Sequence, residues 1–140
     1  MNQDQIQLVQ DSFAQVKPIA DIAADLFYDR LFTLDPGLRP LFKSNLGEQK
    51  HNLMTTLSFA VAGLNKPERI LPAVRQLGTR HGGYGVQAHH YQTVGAALLW
   101  TLAQGLGEQF TPDVEEAWTA VYTLLAQTMQ EGTLEPVAFA

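Results

Sequence analysis

The stretch HHYQTVGAALLWTLAQGLGEQFTPDVEEAWTAVYTLLAQTMQE, residues 89–131, contains two helical patterns in succession. Its apolar residues recur at intervals of three and four, the spacing that places them on one face of an α-helix. We predict helices over residues 89–106 and 112–131, because Gly107 can end the first and Thr111 can cap the second. Each helix presents one apolar row, and we expect the two helices to pack against each other. The rows are Val94, Leu98 and Leu102, and Trp118, Val121, Tyr122, Leu125 and Met129.

The rest of the chain has the same helical character. It contains 19 Leu and 16 Ala against nine Val and four Ile, and Leu and Ala favour helices whereas β-branched residues favour strands. We therefore predict an all-α protein in which proline, glycine and capping asparagine mark the helix ends. The further predicted elements are helices over residues 4–16 and 19–34, a short turn over 35–42, a helix over 45–64 that Asn45 and Glu48 cap, a short piece from Pro67, and a helix over 72–81.

Length, charge and composition exclude several classes of protein. We expect a single domain over residues 1–140, with a tail that frays from about residue 132. The net charge of −5 and the lack of Lys and Arg clusters argue against a nucleic-acid partner, and the absence of cysteine excludes thiolate metal sites. No window reaches the roughly 20 apolar residues of a membrane span, and no basic leader precedes the first helix, so we expect a cytoplasmic protein.

The residues that could bind a ligand are polar groups on otherwise apolar helix faces, because phosphate-binding glycine loops and common hydrolase and zinc-protease motifs do not occur. His81 ends the apolar stripe of its helix, where it could coordinate a metal or could be a core histidine satisfied by a hydrogen bond. Tyr28 lies on the inward face of the second helix and could equally be a core residue. Gln49 shares a face with Leu53 but could also be a solvated or capping residue.

Five stretches of sequence together carry a more specific pattern. In their order and spacing they resemble the globin family, and most closely the bacterial single-domain globins related to the haem domain of flavohaemoglobins. The resemblance extends over about residues 4–131. It implies a globin fold with roughly six to eight helices packed around a pocket for haem b. The stretches are LFYDRLF (26–32), PGLRPLF (36–42), LGTRH (77–81), YQTVGAALL (91–99) and AWTAVY (117–122).

By this resemblance His81 is the proximal histidine that binds the haem iron. Phe42 corresponds to the phenylalanine that packs flat on the haem, Leu77 to the leucine beneath the porphyrin, and Val86 to an apolar contact beyond it. The resemblance therefore implies a cofactor site formed by Phe42, Leu53, Leu77, His81 and Val86, in which His81 is the metal ligand.

Tyr28 and Gln49 correspond to the residues above the iron, and Leu53 corresponds to the apolar residue beside the bound ligand. His51 is an alternative distal residue, but two positions from Gln49 amount to about 200° around the helix, so we expect it to point outward. A Tyr28 hydroxyl and a Gln49 amide that both donate to O2 imply a high O2 affinity, from which CO should benefit less.

The resemblance implies two functions. The first is reversible binding of O2, and also of CO and NO, with scavenging or gas sensing favoured over bulk transport. The second is detoxification of NO by a dioxygenase reaction in which a separate reductase supplies the electrons, because no flavin or nicotinamide domain follows the globin pattern. Flavohaemoglobins carry a glutamate late in the last helix. The corresponding position here is Thr133, and Glu131 is out of register with it. The missing glutamate disfavours peroxide chemistry.

Four further residues have no single interpretation. His89 and His90 lie in the corner before a predicted helix, and we interpret them as surface or interface residues. Lys50 and Arg80 could each pair with a haem propionate or could be solvated surface charges.

Overall fold

The structure is a computed structural model that describes residues 2–41, 45–83 and 88–134, with side chains for all of these except 80–83, 88, 133 and 134. Over these residues the chain forms six α-helices and no strand, so the predicted all-α fold is confirmed. None of these helices is long and apolar enough to cross a membrane. The α-helices are α1 (Gln3–Val16), α2 (Ala20–Leu34), α3 (Leu46–Ala62), α4 (Pro67–Gly83), α5 (Ala88–Leu106) and α6 (Pro112–Leu134), and short 3-10 turns occupy Lys17–Ile19, Pro36–Leu41 and Gly107–Gln109.

Side-chain caps start two helices where the sequence predicts them. Asn45 Oδ1 accepts hydrogen bonds from two backbone N–H groups in the first turn of α3 at 2.7 and 3.3 Å, and Thr111 Oγ1 accepts one from Val114 at 3.3 Å. These bonds satisfy N–H groups that a helix start leaves without a partner. The predicted bounds of α1, α2 and α5 lie within one residue of those observed, whereas α6 continues to Leu134, beyond its predicted end.

One expectation about the helices is wrong in detail. Pro72 does not begin a helix of its own, because α4 runs without a break from Pro67 to Gly83 and contains Pro72 in its second turn. A proline so near a helix start removes one backbone hydrogen bond and leaves most of the helix intact. The expected packing of α5 against α6 is observed, although α6 packs more extensively on α4 and α1, and α5 on α2.

Two glycines allow α4 and α6 to cross at very close range. A Cβ atom at Gly78 would collide with the backbone of Met129, and one at Gly132 would collide with the backbone of Arg75. At the same crossing Thr79 Oγ1 donates a hydrogen bond to the Gly132 carbonyl at 2.7 Å. Because backbone lies directly against backbone here, α6 fixes the position of α4.

Candidate functional site

A cavity of about 260 Å³ lies between the helices. Its walls come from α2 to α6 and from the 3-10 turn that follows α2. Most of the lining side chains are aliphatic or aromatic, so the cavity suits a large apolar ligand that a few polar groups orient. The lining residues whose side chains contain a polar atom are Tyr28, Gln49, Thr56, His90, Tyr91, Trp118 and Tyr122.

Four of the residues predicted to form the site line this cavity. They are Tyr28 from α2, Gln49 and Leu53 from α3, and Leu77 from α4. Tyr28 is buried, and the other three are half-buried. Three different helices therefore bring the predicted distal residues and the predicted apolar contacts to a single space.

The remaining predicted site residues are only partly covered by the structure. Phe42 and Val86 lie outside the described residues, and for His81 the structure describes the backbone, within α4, and not the side chain. Val74 and Leu77 of the same helix both line the cavity. Since His81 follows Leu77 by four residues, these three positions have the spacing of one helix face.

Tyr28 lines the cavity, and two neighbouring aromatic rings fix the position of its ring. Tyr28 is 4% exposed. Its ring packs edge-on against the Phe27 ring, with 5.1 Å between the centroids, and lies tilted against the Phe32 ring, with 5.9 Å between the centroids. Its hydroxyl donates a hydrogen bond to the backbone carbonyl of Gln49 at 3.3 Å. Burial raises the pKa of Tyr28 to about 12, so the phenol keeps its proton at neutral pH and remains a donor.

In the first two turns of α3, neighbouring residues lie on opposite sides of the helix. Gln49 lines the cavity, whereas His51 is exposed, so the expected outward position of His51 is confirmed. Between them Lys50 Nζ forms an ion pair with the Asp25 carboxylate of α2 at 2.8 Å. Lys50 therefore has an anionic partner within the protein.

The start of α5 contributes a residue that the sequence interpretation missed. His90 is half-buried and lines the cavity, which corrects its interpretation as a surface or interface residue, whereas His89 is exposed. Partial burial lowers the pKa of His90, and His89 lowers it further, while the Asp35 carboxylate acts in the opposite direction. The helical spacing contained the missing information, because His90 precedes Val94 of the inward row by four residues.

Two tyrosines close the cavity where α5 meets α6. The Tyr122 hydroxyl donates to the Tyr91 carbonyl at 2.5 Å, and burial raises the pKa of Tyr122. A Cβ atom added at Gly95 would press on the Tyr122 ring, with 2.7 Å to the nearest ring atom. Tyr122 therefore has its hydroxyl directed at the backbone of α5.

The carboxylate of Glu131 is engaged at the surface. Its Oε2 atom forms an ion pair with Arg75 Nη2 at 3.0 Å, and both side chains are exposed. The register of Glu131 relative to the late glutamate of flavohaemoglobins stays a prediction. Thr133, which the resemblance predicts to correspond to that glutamate, belongs to α6, and its side chain lies outside what the structure describes.

Residues 25–129 match the family model for globins. The chain belongs to the globin family. The flavohemoprotein of Vibrio cholerae is 30% identical over 139 residues, which are 96% of this chain and 35% of that protein. The flavohemoprotein of Bacillus subtilis is 30% identical over 125 residues, which are 86% of this chain and 31% of that protein. This globin therefore spans about a third of the length of the curated relatives it matches, and the predicted relationship to flavohaemoglobins is confirmed.

Two solved structures resemble this globin over nearly its whole length. One is an engineered carbene transferase from a Rhodothermus marinus protein that is provisionally named a nitric oxide dioxygenase. Its TM-score is 0.83 at 26% identity, over 94% of this chain and 93% of that one. The other is a hexacoordinated heme protein of an anhydrobiotic tardigrade, with a TM-score of 0.87 at 17% identity over 96% of each chain, which shows the fold alone. The predicted globin fold is confirmed.

Membership of the globin family implies a haem cofactor, and the cavity fits one. A mainly apolar wall with a few polar groups suits a flat hydrophobic macrocycle with a reactive centre.

Proposed function

We propose that this globin holds haem b in the cavity through His81 and binds O2 reversibly, with CO and NO as further ligands. Haem would supply an iron atom that the His81 imidazole would hold and that could bind a diatomic gas. The observation that carries the proposal is the meeting of Tyr28 and Gln49 at the wall of a mainly apolar cavity.

The proposed cofactor contacts combine described and inferred residues. Leu53 and Leu77 present apolar side chains to the cavity. By the family resemblance Phe42 and Val86 would add apolar contacts, and His81, one turn after Leu77, would present a neutral imidazole nitrogen. The contact of α4 with α6 would hold this imidazole at a fixed depth, because α4 cannot move towards α6.

The Tyr28 hydroxyl is proposed to stabilise O2 more than CO. Its hydrogen bond to the Gln49 carbonyl, at 3.3 Å, is long for a hydroxyl donor. The hydroxyl would therefore donate to a stronger acceptor in the cavity instead. Bound O2 would offer the Tyr28 hydroxyl an acceptor with more negative charge than bound CO would. A hydrogen bond to a charged acceptor is worth about 1.5–3 kcal/mol, so the hydroxyl would retain O2 selectively.

Gln49 would supply a second donor. Its side chain lines the cavity from the first turn of α3, beside Leu53, which would keep water away from the ligand. Two hydrogen-bond donors in a site of low polarity would give tight binding and slow release of O2. Tight binding favours scavenging or sensing of O2, because a bulk carrier must release its ligand at working concentrations.

A second candidate function is the conversion of NO to nitrate by a dioxygenase reaction. The observation that favours it is the structural likeness to the Rhodothermus marinus protein, whose name refers to nitric oxide dioxygenase. The same Tyr28 and Gln49 donors would serve this reaction. A separate reductase is the proposed partner, because each turnover consumes an electron that the globin must recover.

Absorption spectra of the purified, reduced protein before and after addition of O2 or CO test the proposal. We expect a haem spectrum that changes with each gas, since one axial position would be open. A protein that takes up no haem, or a spectrum that neither gas changes, would contradict it. Mixing the O2-loaded protein with NO, and then measuring sustained NO consumption with an added reductase, would separate the enzyme from a binding protein.

A further inference from the structure

Three side chains that can bind a metal come together where α2 ends and α5 begins. One ligand atom each from Asp35, His89 and His90 lies within 4.8 Å of the other two. The two imidazole rings are neighbours in the first turn of α5, with 4.2 Å between their centroids. Asp35 faces them from the C-terminal end of α2. The cluster uses neither Tyr28, Gln49 nor His81.

The donor set selects a class of ion. Two imidazoles and one carboxylate suit zinc and the neighbouring divalent transition metals, whereas Ca²⁺ and Mg²⁺ prefer oxygen ligands alone. Ligands in a tetrahedral zinc site bind at about 2.0–2.2 Å, which sets their mutual separation at roughly 3.4 Å. The ligand atoms of the three residues lie within 4.8 Å of one another, so rotation of the side chains can bring them to this separation.

Two of the three ligands are held in place by the surrounding fold. Asp35 Oδ1 accepts a hydrogen bond from the Gly37 N–H at 3.0 Å, which orients the carboxylate. His90 is half-buried at the cavity wall, so its ring has restricted freedom. His89 is exposed, which gives an ion access from solvent. Ordered ligands lose less conformational entropy when they bind an ion.

The negative charge of Asp35 favours the binding of a cation next to the two histidines. The N-terminal end of a helix disfavours positive charge, and both histidines lie in the first turn of α5. A carboxylate in direct contact with the ion offsets this effect, because it acts at shorter range than the partial charge of the helix end. Asp35 is therefore as important to the site as the two imidazoles.

We propose that Asp35, His89 and His90 form a binding site for a divalent transition-metal ion at the edge of the haem cavity. The ion would connect the end of α2 to the start of α5. Since His90 also lines the cavity, the ion would lie next to the haem pocket without replacing any haem ligand. The site depends on the fold of the described residues and not on the proposed gas chemistry.

Calorimetric titration of the haem-loaded protein, without a histidine tag, with zinc chloride tests this site. We expect one saturable zinc ion per chain. His89→Gln and Asp35→Asn should each weaken binding by roughly 10–100-fold or more, since loss of a direct ligand costs at least as much as loss of an outer-shell partner. His89 is suitable because it is exposed, and Asn at position 35 can still accept the Gly37 hydrogen bond.

His51→Gln is the matched control, because His51 is an exposed histidine on α3. This variant should bind zinc as the wild type does, and circular dichroism and the haem spectrum should be the same for all the proteins. The proposal is overturned if the wild type shows no saturable binding. It is equally overturned if both site variants retain the wild-type affinity, or if His51→Gln loses binding to the same extent.

Discussion

Replacement of Tyr28 by phenylalanine should increase the rate at which the haem-loaded globin releases O2 by roughly 10- to 150-fold. This range corresponds to the loss of one hydrogen bond of about 1.5–3 kcal/mol to a ligand that carries negative charge. Phenylalanine keeps the ring contacts with Phe27 and Phe32, so the change removes a donor and little packing. Flash photolysis or rapid mixing with a competing ligand measures the rate.

Tyr122→Phe is the matched control for this experiment. It removes a hydroxyl from the same cavity, but that hydroxyl is directed at the Tyr91 carbonyl at 2.5 Å. The control should therefore change O2 release far less than Tyr28→Phe does, and CO release should change little in either protein. An unaltered O2 release rate in Tyr28→Phe, or equal increases in both variants, would remove the proposed role of Tyr28.

Replacement of Gly78 by alanine should lower the free energy of unfolding by roughly 3 kcal/mol. The added methyl group would clash with the backbone of Met129, and backbone atoms cannot change position as easily as a flexible side chain can. Either α4 or α6 must then move, and α4 carries Val74, Leu77 and His81. We expect the midpoint of guanidinium denaturation, followed by helical circular dichroism, to fall, and haem to be held less tightly.

Gly105→Ala provides the comparison for this substitution. Gly105 is also a helical glycine, but a Cβ atom there would lie 3.6 Å from Ile19 Cδ1, an ordinary van der Waals contact. Alanine favours a helix over glycine by about 1 kcal/mol, so this variant should be as stable as the wild type or more so. If Gly78→Ala proved equally stable, the close crossing of α4 and α6 would be incorrect.

The helices could be predicted because the information for them is local. Apolar spacing, the caps at Asn45 and Thr111, and the glycine and proline breaks each act within a few residues. The crossing at Gly78 and Gly132 could not be predicted, because a single sequence does not state which helices approach each other. For the same reason the sequence predicts that α5 and α6 pack against each other, but does not show that each packs more extensively on another helix.

The candidate site could be predicted only from the resemblance to the globin family. Tyr28, Gln49 and Leu77 are each ordinary in isolation, and only the whole-chain resemblance brought them to one pocket. His90 could not be placed from sequence alone, because its corner position favours the surface whereas its four-residue spacing from Val94 favours the cavity. The cluster with Asp35 requires contact between two helix ends, which periodicity within one helix does not encode.

Haem titration into the haem-free wild-type, His81→Ala and His90→Leu proteins tests most directly whether the cofactor is held through His81. His90 is the suitable comparison because it is the described histidine that lines the cavity. We predict that the wild type and His90→Leu take up one haem per chain with the same absorption spectrum, and that His81→Ala binds it more weakly with an altered spectrum. Unchanged affinity and an unchanged spectrum in His81→Ala would contradict haem ligation by His81.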